Sequence, residues 1–220
     1  MSNKVMEKIK NGREYRQMVI EPVEGVADQI VEGYATTFNQ RYDLYTFEDD
    51  RGKHVVREVV DKYAFEGADM SDVIMQYDHA GRVFARLSNG TLALETDDHG
   101  LKVRANLGGT EIGRQLYEEI QGGYTDKMSF GFTVADDNIV PEGTDYLRTI
   151  KRIGKLYDVS VVSLPANDFT EISARSHCDG VIAEIEAERL QAEKKAEEKR
   201  QRLEELQNRL KALKGETHGN

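Results

Sequence analysis

The sequence predicts an α+β protein, mainly β with few helices, whose body is a β-barrel or rolled sheet followed by one long C-terminal helix. Three observations predict it. Ten short apolar or alternating runs recur through the first 164 positions, only one body stretch has helical periodicity, and positions 181–214 contain neither Gly nor Pro. Many short strands with one or two helices favour a closed or rolled sheet over repeated βαβ units.

In chain order the strand-like runs are 15–20, 30–38, 54–60, 73–77, 82–87, 91–96, 101–107, 127–135, 145–153 and 156–164. Asp-Asp-His-Gly at 97–100 joins two alternating runs and has the composition of a hairpin turn. The body helix is expected at 110–121. Thr110 caps it, Ile112, Leu116 and Ile120 share one face, and Gly122-Gly123 stops it. In the next run Met128, Phe130, Phe132 and Val134 alternate onto an apolar face, leaving Ser129, Gly131 and Thr133 on the other. Beyond 180, positions 182, 185, 189, 192, 196, 199, 203, 206, 210 and 213 follow a heptad register. They read Ile, Ile, Arg, Ala, Ala, Lys, Leu, Leu, Leu, Leu, a good seam only at its C-terminal end. At 1.5 Å per residue that segment makes a helix of about 50 Å whose narrow stripe needs a partner. The expected organisation is a body at 1–176, a linker at 177–180, a charged helix at 181–214 and a disordered end at 215–220.

The chain has 220 residues, 39% apolar and 32% charged, with a formal net charge of −10. The tail is nearly balanced, with eight acids and nine bases at 181–214, so the acidity lies in the body. That balance argues against binding nucleic acid or anionic membranes through phosphate neutralisation. No apolar run approaches a bilayer span, and the N-terminus lacks a signal-peptide core. The single cysteine, Cys178, excludes an internal disulfide and a thiolate metal cage. A soluble protein of a reducing compartment is expected.

Three segments have residues suited to chemistry, and each has a plain structural alternative. His79 ends an apolar strand, Val73-Met75-Tyr77, where it enters a Gly-containing turn. It is either a strand-end histidine or a general base, with an ordinary pKa suited to neutral pH. Ser129 lies on the polar face of its strand with Gly131 two residues on, where a missing side chain would let a substrate backbone approach. Asp158 interrupts a nearly continuous apolar run, so its carboxylate requires a hydrogen-bonding partner, and a histidine is a natural one. A rival metal reading gathers Asp78, His79, Asp97, Asp98 and His99, although Asp97–His99 is better explained by turn chemistry. No phosphate-cradling glycine loop is present.

Across these segments the chain resembles the prohead (head-maturation) serine proteases of tailed bacteriophages. The likeness covers roughly 14–176 and rests on the order and spacing of five blocks. These are Val-Glu-Gly-Tyr-Ala-Thr-Thr-Phe at 31–38, Gln-Tyr-Asp-His ending at His79, Gly-Leu-Lys-Val-Arg-Ala at 100–105, Lys-Met-Ser-Phe-Gly-Phe at 127–132, and Leu-Tyr-Asp-Val-Ser-Val-Val-Ser-Leu-Pro-Ala-Asn at 156–167. The resemblance implies a herpesvirus-assemblin-like barrel edged by helices, with Ser129 as nucleophile, His79 as general base and Asp158 as third member, where the family commonly carries Glu. Backbone amides near Gly131, or an arginine such as Arg148 or Arg152, are the candidates for stabilising an oxyanion. The implied activity is a serine endopeptidase of capsid maturation, needing no cofactor or metal. It would cleave the major capsid protein's scaffolding segment or a separate scaffold, and itself, inside the procapsid in the host cytoplasm. The homo-oligomer, if any, would form through the C-terminal helix, and neither nucleic acid nor membrane is an expected partner. The competing reading is a catalytically inactive scaffold or assembly protein that works through that helix.

Overall fold

Alternation in the body translates into strands with one face in a shared core. The computed structural model describes residues 13–25, 28–162 and 167–216, and the chain divides into two units, Met1–Ser176 and His177–Asn220. Among the described residues the first unit has ten strands: β1 (Glu14–Pro22), β2 (Ile30–Thr37), β3 (Tyr42–Asp49), β4 (Gly52–Val60), β5 (Ile74–Tyr77), β6 (Ala80–Arg86), β7 (Leu92–Thr96), β8 (Gly100–Asn106), β9 (Lys127–Glu142) and β10 (Asp145–Val162). Helix α1 (Glu111–Gln121) lies between β8 and β9, and helix α2 (Asn167–Glu216) follows β10. The fold is α+β: a curled, half-barrel sheet and a long C-terminal helix.

The strands run in the order β3-β4-β10-β9-β1-β2-β8-β7, with β5 bonded to β10 and β6. The 18-residue β10 organises this sheet. Antiparallel β9 accompanies it along one edge, while its other edge takes β4 at 146–150 and then β5 at 158–161, both parallel. Met128, Phe130 and Phe132 are buried in one core with Met75, Ile150, Leu156, Val159 and Val161. Leu116 and Ile120 of α1 join the same core, and Thr110 Oγ1 caps that helix by accepting from Gly113 N at 3.0 Å.

Strands β1, β3, β4, β9 and β10 also share a buried ionic network. Glu58 is paired by both Arg16 and Arg148, and Glu14 by the same two arginines, all at 2.7–2.9 Å. Asp137 takes Arg148 Nε at 2.6 Å, and the Tyr42 hydroxyl donates to Glu58. Such charges are tolerated in a core because each guanidinium and carboxylate is multiply bonded. Glu14 shows the balance: burial pushes its pKa up, but Arg148 and Arg16 outweigh burial and hold it down to about 2.

Three expectations need correction. The strand β3 was not expected; it is half-exposed, at an end of the sheet path, and Asp43, Glu48 and Asp49 spoil its alternation. The runs at 145–153 and 156–164 are one strand, because register shifts against β9 between Ile150 and Asp158 reverse the apolar phase without ending the pairing. The expected linker at 177–180 is helical, since α2 starts at Asn167. One glycine, Gly180, costs a helix only about 1 kcal/mol, too little to stop one of 50 residues. Ser163 and Leu164 of the expected last strand, and 217–220 of the expected disordered end, lie outside the described residues. Among the described residues no helix is long and apolar enough to cross a membrane.

Candidate active site

Strand register brings the candidate residues together. In neighbouring antiparallel strands, directly paired residues point to the same face. Ser129 of β9 pairs with Ser160 of β10, and Gly131 pairs with Asp158, so Ser129, Asp158 and Ser160 project from one face. β1 continues the second row, with Tyr15 opposite Gly131. This is the face opposite Met128, Phe130 and Phe132, as alternation predicts.

His79 reaches that face from a turn. β5 runs parallel to β10 as far as Tyr77, opposite Val161, and Asp78 N then bonds Val161 O at 2.8 Å. Tyr77 pairs with Ala80 of β6, which leaves Asp78 and His79 as a two-residue loop, with φ of 47° and 54°. Two successive positive φ values are those of a type I′ hairpin turn, and Asp and His are among the non-glycine residues that adopt them most readily. The turn swings the imidazole over Ser129 and Asp158.

The geometry is a continuous hydrogen-bond chain. Ser129 Oγ lies 2.8 Å from His79 Nε2. His79 Nδ1 is bonded to Asp158 Oδ1, and Ser160 Oγ donates to the same oxygen at 2.7 Å. A carboxylate can only accept, so Nδ1 carries the proton in the neutral imidazole and Nε2 is free to accept from the serine. All three groups are shielded: Ser129 is 1% exposed, and the side chains of His79 and Asp158 are 8% and 5% exposed. Asp158, though a residue shorter than the Glu implied by the resemblance, still reaches the imidazole.

Gly131 does not leave open space. A Cβ there would lie 2.7 Å from Asp158 Oδ2 and 2.8 Å from Tyr15 Cε1, so the vacancy is filled by that carboxylate and that ring. Tyr15 also meets His79 edge-on, with ring centroids 4.3 Å apart and planes at 63°. Burial, reinforced by the negative charge of Asp158, pushes its phenol up to about 12. Arg148 is bonded to Glu14, Glu58 and Asp137, and Arg152 is exposed opposite Asp136. His99 is not brought to His79. It meets the Tyr34 ring edge-on, with centroids 4.5 Å apart, and Asp97 Oδ1 accepts from the backbone N–H of His99 and Gly100, the turn chemistry expected. Among the described residues no group of three or more His, Cys, Asp or Glu is placed to hold a metal ion.

Sequence reasoning missed Tyr15 and Ser160. Ser160 was recoverable, since it lies two residues from Asp158 and therefore on the same face. Tyr15 was not, because its place depends on β1 pairing with β9, more than 100 positions away.

A family model described as caudovirus prohead serine protease matches residues 16–181. The prohead protease of Enterobacteria phage HK97 is 37% identical over 92 residues, a match covering 40% of this chain and 39% of that protein. The chain thus spans about two fifths of the length of this curated relative. No solved structure matches it.

Proposed function

The chain belongs to the caudovirus prohead serine proteases, and from that premise we propose that it is a serine endopeptidase with Ser129 as nucleophile, His79 as general base and Asp158 as the group that orients the base. The observation carrying this reading is the unbroken chain from Ser129 Oγ through both imidazole nitrogens to Asp158. A serine hydroxyl attacks a peptide carbonyl only if its proton leaves as the bond forms. His79 Nε2, at 2.8 Å, takes it. The imidazolium that forms is stabilised by Asp158, and Ser160 keeps the accepting oxygen in place. His79 then returns the proton to the departing amine, and the same chain activates water to hydrolyse the acyl-enzyme.

The substrates of this reading are proteins of the immature capsid: the scaffolding segment of the major capsid protein or a separate scaffold, and the protease itself. The protein would act inside the procapsid. Support comes from the prohead family match and from the prohead function named for the phage HK97 relative.

The test is covalent labelling with a serine-directed phosphonate, located by peptide mass spectrometry, together with co-expression of the capsid proteins. Labelling confined to Ser129, abolished in both Ser129→Ala and His79→Ala along with capsid-protein cleavage, is the expected result. Cleavage near the parent rate in Ser129→Ala sinks the assignment. An unlabelled parent that cleaves nothing favours the inactive assembly protein.

A further inference from the structure

Resting on that reading, we propose that Tyr15 is a positioning residue for His79: its ring, seated where residue 131 lacks a side chain, holds the imidazole in line between Ser129 and Asp158. The hydrogen bonds of His79 to Asp158 and Ser129 act at its two ring nitrogens. They fix the distance to each partner, but leave the ring able to tilt about the line joining those nitrogens. The turn backbone, with His79 at φ 54°, aims the side chain but does not itself fix the torsions within it. A wall beside the ring is what the two bonds lack.

Tyr15 supplies it. Its ring meets the imidazole at 4.3 Å between centroids and at 63°, a favourable edge-on aromatic geometry. The residue is 7% exposed and lies in the row Tyr15–Gly131–Asp158 across β1, β9 and β10. Any side chain at 131 would meet both the tyrosine ring and the Asp158 carboxylate within 2.8 Å, so glycine there is the condition for the wall and the carboxylate to share one row. The hydroxyl, whose pKa burial and Asp158 push up to about 12, stays neutral at working pH and takes no proton from His79. The flat ring carries the role, and the hydroxyl does not.

The full-length chain with Tyr15→Phe, Tyr15→Leu and Tyr15→Met tests this. Three readouts are needed: thermal unfolding, the rate of phosphonate labelling at Ser129, and the downfield proton resonance of the His79 Nδ1–H bonded to Asp158. Phe should label near the parent rate and keep the resonance. Leu and Met fill similar volume without a flat face, and should lose the resonance and label about a hundredfold more slowly, the usual effect of misplacing a reacting group by about an ångström. Because two aliphatic replacements are used, failure of one to fold leaves the other to decide. A Phe variant as slow as Leu overturns the proposal by assigning the role to the hydroxyl. Leu or Met variants that label at the parent rate with the resonance intact overturn it outright. A folded parent that is never labelled defeats the serine-protease reading instead, and the resonance then decides on its own whether Tyr15 positions His79.

Discussion

At the scale of single residues, Asp158 Oδ1 accepts from both His79 and Ser160, and these two bonds differ in importance. Asp158→Asn should lower turnover by roughly 10⁴-fold while the protein stays folded, because an amide favours the wrong imidazole tautomer. Ser160→Ala removes only one bond to a charged group and should cost about tenfold to a hundredfold. Initial rates of capsid-protein cleavage check the order; an Asn variant at the parent rate takes Asp158 out of the site, and a Ser160→Ala variant as damaged as the Asn variant overturns the ranking of the two bonds. His79, Ser129 and Asp158 were legible as candidates because each breaks a local pattern: a titratable group at a strand end, a hydroxyl beside a glycine, a carboxylate in an apolar run. Tyr15 breaks none. An aromatic residue in a strand is ordinary, and only cross-strand register reveals what it faces. Gly131 was noticed for the right reason, a missing side chain, but periodicity does not tell which neighbour occupies the space.

At the scale of elements, the β5–β6 turn transmits strand position to the site. Asp78 and His79 both have positive φ, a conformation that costs a non-glycine residue roughly 1–2 kcal/mol and a β-branched one more. Asp78→Asn, which tolerates that conformation, should leave thermal unfolding and Ser129 labelling nearly unchanged. Asp78→Val should lower stability by at least about 1–2 kcal/mol and slow labelling disproportionately, since the turn would open and withdraw the imidazole. Equal labelling by the two variants would show that the turn's backbone does not aim His79. The strands that pair deep in the sheet were readable from period-two alternation. The half-exposed β3 was not, because neither of its faces is fully buried. The continuity of β10 was hidden for a different reason: its register shifts reverse which residues face inward, and a sequence reading takes that reversal for a break.

At the scale of the whole molecule, the two units are held by different forces, and each implies a different response to conditions. In the first, five strands meet at the Glu14–Arg16–Glu58–Arg148 network. Glu14 titrates at about 2 when folded, against about 4.5 as an ordinary glutamate. The folded state therefore binds fewer protons than the unfolded chain between these values. Its contribution to stability is complete above about pH 4.5 and is lost as pH falls through about 2, amounting to about 3 kcal/mol in order of magnitude. Denaturant titrations across that window should show the loss, and Glu14→Gln should flatten it from a lower starting stability, since Arg148 then loses a charged partner. A slope unchanged in Glu14→Gln would place the acid sensitivity elsewhere. Among the described residues of the second unit, 177–220, no comparable core forms beyond Leu190. Leu190, Leu203 and Leu206 are 59%, 54% and 51% exposed, and the ion pairs there, such as Arg189 with Glu186 and Glu193, are surface pairs worth about 0.3–0.5 kcal/mol each and screened by salt. A helix with so little packing should melt over a broad range below the body's transition. The two signals are separable because all ten tyrosines lie at or before Tyr157, so near-ultraviolet dichroism reports the body alone, while far-ultraviolet helical dichroism is dominated by α2. The helical signal should fall first, and earlier in high salt. If the leucine seam finds its partner in a second copy, its midpoint should rise with protein concentration while the tyrosine transition stays fixed. Coincident transitions at every concentration and salt would instead mean that the helix and the body unfold as one cooperative structure.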